Sequence, residues 1–120
     1  MKKHKLGEME QRFADLIWQH EPVTSRELTE LCAQEFDWKR TTTYTMLRRL
    51  CDREIFKNKN GTVISLMSRD EFLALRGEKF LEESFEGSLP RFIAAFTRRK
   101  KLSDREIREI KRLIDGYRED

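Results

Sequence analysis

Apolar residues recur at intervals of three and four along most of the chain, and helix start signals separate these repeats. The spacing from Leu6 to Ile17 predicts a first amphipathic helix over Glu8–His20, which ends before Pro22. A capping box at residues 24–27 predicts the start of a second, shorter helix. The chain therefore opens with two short helices that precede its most unusual segment.

The third predicted helix starts at Arg40 and has two different faces. The face predicted to be buried carries Thr43, Leu47, Leu50 and Cys51 at helical spacing. The opposite face is polar and carries Thr41, Thr42, Tyr44, Thr45 and Arg48. The threonines lower the intrinsic stability of the helix, because β-branched side chains lose rotamer freedom there. Hydroxyl, phenol and guanidinium groups match the base edges of a DNA major groove, so we interpret this segment as a recognition helix.

Two short β-prone runs flank Asn60 and Gly61 directly after this helix. Asn-Gly is the strongest short hairpin signal, because a type I′ turn needs positive φ at both central residues. The tip of the hairpin carries Lys57, Asn58, Lys59 and Asn60, which are placed to reach DNA phosphates or a minor groove. Three helices followed by a basic hairpin predict a winged helix-turn-helix domain over residues 1–68.

The remaining residues, 69–120, are predicted to form three more helices. Capping boxes at residues 68–71 and 103–106 start two of them, and Pro90 lies in the first turn of the helix between. A segment of only about 50 residues is too small to bury its large apolar residues alone, so we expect a dimerisation domain. The candidate dimer contacts are Phe72, Phe80, Phe85, Phe92, Phe96, Ile107, Ile110 and Ile114. The alternative is a monomer in which these helices fold back on the winged domain.

Charge supports the nucleic-acid interpretation through its clustering. The chain of 120 residues has a net charge of only +3, but residues 37–60 contain seven bases against three acids, which is +4. Double-stranded DNA is thus the expected partner, since a local basic cluster is the electrostatic footprint of DNA binding. The predicted DNA-binding residues are Arg40, Thr41, Thr42, Tyr44, Thr45, Arg48, Lys57 and Lys59.

Several other classes of protein are disfavoured by the sequence. No run approaches the roughly 20 apolar residues of a membrane span, and no apolar segment follows the basic residues 1–5 as a secretory signal requires. The chain has no Gly-rich phosphate loop, metal-ligand cluster or nucleophile beside a histidine, so we expect neither an enzyme nor a cofactor or metal. A cytoplasmic protein with reduced Cys32 and Cys51 is the simplest interpretation.

Motifs along nearly the whole chain resemble those of the penicillinase-repressor family. They are Leu-Gly-x-x-Glu at 6–10, Ile-Trp at 17–18, Trp-x-x-Thr-Thr-x-Tyr-Thr-x-Leu-x-Arg-Leu at 38–50, Phe-x-Gly-Ser-Leu at 85–89 and Leu-Ser-x-x-Glu-Ile at 102–107. The resemblance implies a homodimeric winged-helix repressor that occupies palindromic operators of β-lactam-resistance genes. It also implies release by a membrane sensor-protease, which cuts the C-terminal domain of family members. The cut would align here with Ala95 and Phe96, although this chain has Ala95 where the best-known members have Asn.

Other interpretations stay open at this point. A sister branch of the family represses copper-export genes and has a cysteine motif near its C-terminus, whereas this chain has no cysteine after Cys51. A regulator of another regulon remains an alternative, as does a protein-docking module, since winged helices also serve as docking domains. The basic run at 98–101 is a further departure from the family, and either DNA contact or a solvated loop would account for it.

Overall fold

The computed structural model describes residues 6–117, so residues 1–5 and 118–120, including the basic N-terminal run, lie outside the described part. The predicted class is confirmed: helices dominate, and one small antiparallel sheet accompanies them. The elements are α1 (Glu8–His20), β1 (Val23–Thr24), α2 (Ser25–Phe36), α3 (Arg40–Asp52), β2 (Phe56–Lys59), β3 (Thr62–Ser65), α4 (Arg69–Phe85), α5 (Leu89–Arg99) and α6 (Asp104–Tyr117).

Capping boxes start three of the helices at the predicted positions. At α2, the Thr24 hydroxyl accepts from the Glu27 backbone N–H, and the Glu27 carboxylate accepts from the Thr24 N–H, each at 3.0 Å. Ser68 with Glu71 caps α4 in the same reciprocal way, and so does Ser103 with Glu106 at α6. Each box satisfies two backbone donors that would otherwise lack partners, and so fixes where its helix begins.

The sheet contains one strand that the sequence pattern does not predict. β2 and β3 form the expected hairpin, with Asn60 at φ 53° and Gly61 at φ 88° in its turn. β1 pairs antiparallel with the other edge of β3, which places Val23 opposite Val63 and gives the order β1-β3-β2. Two residues are too few to show an alternating pattern, so β1 is recognised only from its pairing.

The chain forms two compact units, Met1–Glu78 and Lys79–Asp120. The division falls inside α4, whereas the sequence places the domain boundary before residue 69. Phe72 explains the difference, because its side chain is fully buried in the core of the first unit. The prediction that Phe72 lies at a dimer surface is therefore wrong.

The core of the first unit is organised by two tryptophans. The ring of Trp18 on α1 lies 5.1 Å from that of Phe56 on β2 and 5.6 Å from that of Phe72 on α4, and its Nε1–H donates to the Met67 carbonyl at 3.0 Å. Trp38 precedes α3 and packs 5.3 Å from Phe13. These contacts hold the hairpin, α4 and the start of α3 against α1, because a large aromatic side chain excludes water over a wide area.

The two cysteines behave as small apolar residues. Cys32 on α2 is fully buried, and burial raises the pKa of its thiol to about 11. Burial also raises the pKa of the Cys51 thiol. Both thiols therefore stay protonated at neutral pH, and Cys32 serves the packing of α2 against α3.

The second unit has no buried side chain within residues 79–117. Its most compact feature is a cluster of aromatic rings on α4 and α5, formed by Phe80, Phe85, Phe92 and Phe96. Neighbouring rings in this cluster are 5.5 to 5.9 Å apart, yet Phe80 and Phe96 remain 48% and 43% exposed. No helix among the described residues is long and apolar enough to cross a membrane.

Replacing either of two glycines with alanine should change the free energy of unfolding, in opposite directions. A Cβ at Gly77, in the interior of α4, would meet no atom within 4 Å, so Gly77→Ala should raise the free energy of unfolding by about 1 kcal/mol. Gly61→Ala should lower it by about 1 kcal/mol, because the turn holds φ at +88°. Urea unfolding followed by far-UV circular dichroism measures both, and a destabilising Gly77→Ala would contradict the open environment at that position.

Candidate nucleic-acid interface

Helix α3 presents the polar face that the sequence predicts. The inner face of α3 is buried and carries Thr43, Leu47 and Leu50. The two leucines belong to the core of the first unit. The residues on its outer side are all exposed: Arg40, Thr41, Thr42, Tyr44, Thr45 and Arg48. Their exposure is confirmed, and their role in DNA binding stays a prediction.

The N-terminus of α3 is open and electropositive. Its N-cap, Lys39, makes no side-chain cap, and the first turn contains no acidic residue. By contrast, the Glu10 carboxylate accepts from the Gly7 N–H at the start of α1. The free backbone donors of α3, the positive end of its dipole and the cations Lys39 and Arg40 thus face the same end, an arrangement that favours an anion such as phosphate.

A cleft of about 310 Å³ lies between α3 and the hairpin. It is lined by Tyr44, Leu47, Arg48, Cys51 and Asn58. Asn58 is predicted as a tip residue of the hairpin but not as a residue of this cleft, although the strand pattern contains the signal that places it there. Side chains alternate along β2, so Asn58 lies on the same face as buried Phe56 and therefore toward α3.

The same alternation places Lys57 and Lys59 on the opposite face of the hairpin from Asn58. Both lysines are exposed, as predicted for a basic wing. The Asn58 carboxamide oxygen accepts from the Gly61 N–H at 3.0 Å, which stabilises the turn between them. The hairpin therefore offers a polar amide to the cleft and two cations to its outer side.

Most cations of the α3 and hairpin region have no acidic partner. Arg53 is the exception, since its guanidinium lies 3.7 Å from the Glu10 carboxylate. Within residues 6–117 no ion pair is formed by Lys39, Arg40, Arg48, Lys57 or Lys59. Their positive charge is uncompensated nearby and remains available to an external anion.

The predicted dimer contacts, apart from Phe72, lie in the second unit. Phe85 and Phe92 are partly buried in the aromatic cluster, and the others are exposed. Four further exposed apolar side chains extend this surface beyond the predicted set: Leu89, Ile93, Leu113 and Tyr117. Ile93 and Tyr117 follow Leu89 and Ile114 at spacings of four and three, so helical periodicity contains the signal for including them.

The peptide bond proposed for cleavage lies inside a helix. Ala95 and Phe96 are both exposed, and α5 continues past them to Arg99. The backbone N–H of Lys100 donates to the Phe96 carbonyl at 2.9 Å, so hydrogen bonding continues to the end of this helix. Exposure of the side chains therefore does not by itself make this backbone accessible.

Comparison with known proteins places nearly the whole chain in one family. A family model described as "Penicillinase repressor" matches residues 6–116. The penicillinase repressor of Bacillus licheniformis is 23% identical over 118 residues, which cover 95% of this chain and 92% of that protein. The methicillin resistance regulatory proteins MecI of Mammaliicoccus sciuri and Staphylococcus aureus are each 20% identical, over 95% of this chain and 96% of theirs.

The matched region extends over both units, from two residues before α1 to the last turn of α6. It also contains every motif on which the resemblance rests, from Leu-Gly-x-x-Glu to Leu-Ser-x-x-Glu-Ile. The agreement therefore includes α3, the hairpin and the unburied C-terminal helices together. This chain belongs to the penicillinase repressor family of transcriptional repressors.

Proposed function

We propose that the chain binds DNA as a homodimer, occupies a palindromic operator and thereby represses transcription in the cytoplasm. The observation that carries the proposal is the exposed polar face of α3, whose cations have no acidic partner among the described residues. This face lies beside a cleft and a basic hairpin within one unit. A polar face with uncompensated cations suits a nucleic acid better than an apolar protein surface, whose docking anchors are mostly aromatic or aliphatic.

In this proposal, α3 enters the major groove and reads base edges. Threonine hydroxyls, the Tyr44 phenol and the Arg48 guanidinium supply the donors and acceptors, and threonine methyl groups can contact thymine. The open N-terminus of α3, with Lys39 and Arg40, binds a backbone phosphate and sets the angle of entry. Base contacts then give specificity, and phosphate contacts give position.

The hairpin acts as the wing. Lys57 and Lys59 on its outer face bind backbone phosphates, whereas Asn58 faces α3 from the inner side. Neutralising phosphates releases counterions, so these lysines add affinity that falls with rising salt and depends little on sequence.

Dimerisation rests on the absence of buried side chains in residues 79–117. Exposed apolar residues on α5 and α6 need to be covered, and a second copy of the same chain is the simplest partner. A two-fold axis would present two copies of α3 to successive major grooves about 34 Å apart, which matches a palindromic operator.

The proposed regulon and release follow from the family. The named relatives are repressors or regulators of penicillinase and methicillin resistance, so we propose β-lactam-resistance genes as targets. We also propose release by a membrane sensor-protease that cuts between Ala95 and Phe96. Because this bond lies inside α5, the helix must unwind locally before a protease can bind its backbone in an extended form. An intact chain in the host after β-lactam treatment would exclude this route.

The first experiment is selection of bound fragments from host genomic DNA by the purified protein at near-physiological salt, followed by sequencing. Enrichment of a palindrome upstream of a β-lactamase, penicillin-binding protein or sensor-protease gene is the expected result. Random fragments, with binding that disappears as salt increases, would show only non-specific electrostatic contact and reject the proposal.

Variants of α3 should change the sequence specificity of DNA binding, whereas variants of the wing should change its salt dependence. Arg48→Ala should lower the affinity for the selected palindrome by about 1–3 kcal/mol and relax specificity at one base position. The double variant Lys57→Gln with Lys59→Gln should weaken binding to all sequences alike and reduce the salt slope by about 1 for each phosphate that is no longer neutralised. Fluorescence anisotropy on the palindrome and a scrambled duplex, at several salt concentrations, separates the two effects. An unchanged slope in the lysine variant would refute the wing assignment.

The oligomeric state gives a separate prediction. Wild-type protein should show the mass of two chains in light scattering at micromolar concentration, and Ile110→Glu should show the mass of one, because a buried unpaired charge is strongly unfavourable. Arg105→Gln is the matched control, since it changes the net charge equally at an exposed position on the same helix. A wild-type monomer would remove the dimer from the proposal.

A further inference from the structure

The second unit carries basic residues of its own, in addition to those of α3 and the hairpin. Residues 98–112 contain eight bases against three acids, a net charge of +5 in a chain whose total is +3. We name as the C-terminal strip the exposed cations at the end of α5, in the following loop and on α6: Arg98, Arg99, Lys100, Lys101, Arg108 and Arg112. None of the six forms an ion pair within residues 6–117.

Three arginines on the helical parts of this strip face away from the apolar surface. On α6, Ile110 follows Arg108 by two residues, and Ile114 follows Arg112 by two. Two residues correspond to about 200° around the helix. On α5, Arg98 follows Phe96 by the same interval. Covering the apolar faces with a second chain would therefore leave these three arginines exposed.

The arrangement is unfavourable for the isolated chain. Like charges four residues apart, such as Arg108 and Arg112, destabilise a helix, and four consecutive cations at 98–101 repel one another. Acidic side chains elsewhere in the unit form ion pairs with other cations: Glu86 lies 3.0 Å from Arg91, and Glu83 lies 3.5 Å from Lys79. The acids compensate cations outside the strip and leave the strip itself without a partner.

We propose that the C-terminal strip binds the phosphate backbone of DNA that flanks the sequence read by α3. The proposal rests on the proposed DNA-binding function and extends it to a second, sequence-independent contact. Arginine and lysine side chains without acidic partners can bind phosphate. Neutralising DNA phosphates releases counterions from the DNA, and this binding does not require apolar side chains to be buried. An anionic membrane is less favoured, because interfacial helices also insert their apolar faces, and four phenylalanine rings of this unit already pack together.

The experiment compares two double variants that change the net charge equally within the same unit. The strip variant is Arg108→Gln with Arg112→Gln, and the control is Lys79→Gln with Arg91→Gln, which removes cations already paired with glutamates. A second strip variant, Lys100→Gln with Lys101→Gln, lies outside the helices and guards against a folding defect in α6. Circular dichroism and light scattering establish that each variant keeps its helices and mass.

Binding is measured against salt on two duplexes, one trimmed to the selected palindrome and one extended by about three helical turns, or ~30 base pairs, on each side. On the extended duplex, the strip variants should show a salt slope smaller than that of the control by about 0.9 for each phosphate that the variant leaves unneutralised. On the trimmed duplex, strip and control variants should agree.

Equal slopes for strip and control variants on the extended duplex would overturn the proposal, and so would an equal loss on both duplexes. Strip-dependent sedimentation with phosphatidylglycerol vesicles, without a change in the DNA slope, would assign the strip to membranes instead. Random-sequence duplexes of both lengths are measured in parallel. If genomic selection yields no palindrome, the proposed operator binding fails, and the random duplexes still decide whether the strip contacts DNA.

Discussion

The position of α3 depends on aromatic packing just before the helix begins. Trp38 lies between two phenylalanines, 5.3 Å from Phe13 on α1 and 4.9 Å from Phe36 at the end of α2. Asp37 adopts the left-handed conformation at φ 58°, so the chain reverses there and delivers Trp38 to the core. Once Trp38 is fixed, the helical repeat buries Thr43, and the neighbouring hydroxyls have to face solvent. The polar face of α3 is thus a consequence of where one indole packs.

Within residues 6–117, positive charge is concentrated in two segments. Residues 37–60 carry +4 and residues 98–112 carry +5, whereas the whole chain carries +3, so all other residues together carry −6. Acids away from the two basic segments repel a polyanion, so a polyanionic partner would be directed to these segments. A low total charge is thereby compatible with strong local attraction, and it reduces non-specific binding to nucleic acid in general.

Local sequence signals predict the starts of elements well in both units. Capping boxes fix the starts of α2, α4 and α6, and the Asn-Gly pair fixes the hairpin, because these motifs act within four residues. Long-range packing is less visible. β1 exists only through pairing with β3, and Phe72 looks the same in sequence whether it packs on Trp18 or on a second chain. The position of Asn58 in the cleft escapes prediction for a related reason, since strand alternation shows its face only once Phe56 is known to be buried.

The proposed dimer, strip and cleavage site depend on one another through their order in the chain. The bond between Ala95 and Phe96 precedes the whole C-terminal strip and all of α6. A cut there would separate the strip and the isoleucines of α6 from the rest of the chain in one event. Two linked half-sites bind far more tightly than one, because the second binding event is intramolecular. Loss of the dimer and loss of phosphate binding would therefore combine, so a single cleaved bond would suffice to release the operator.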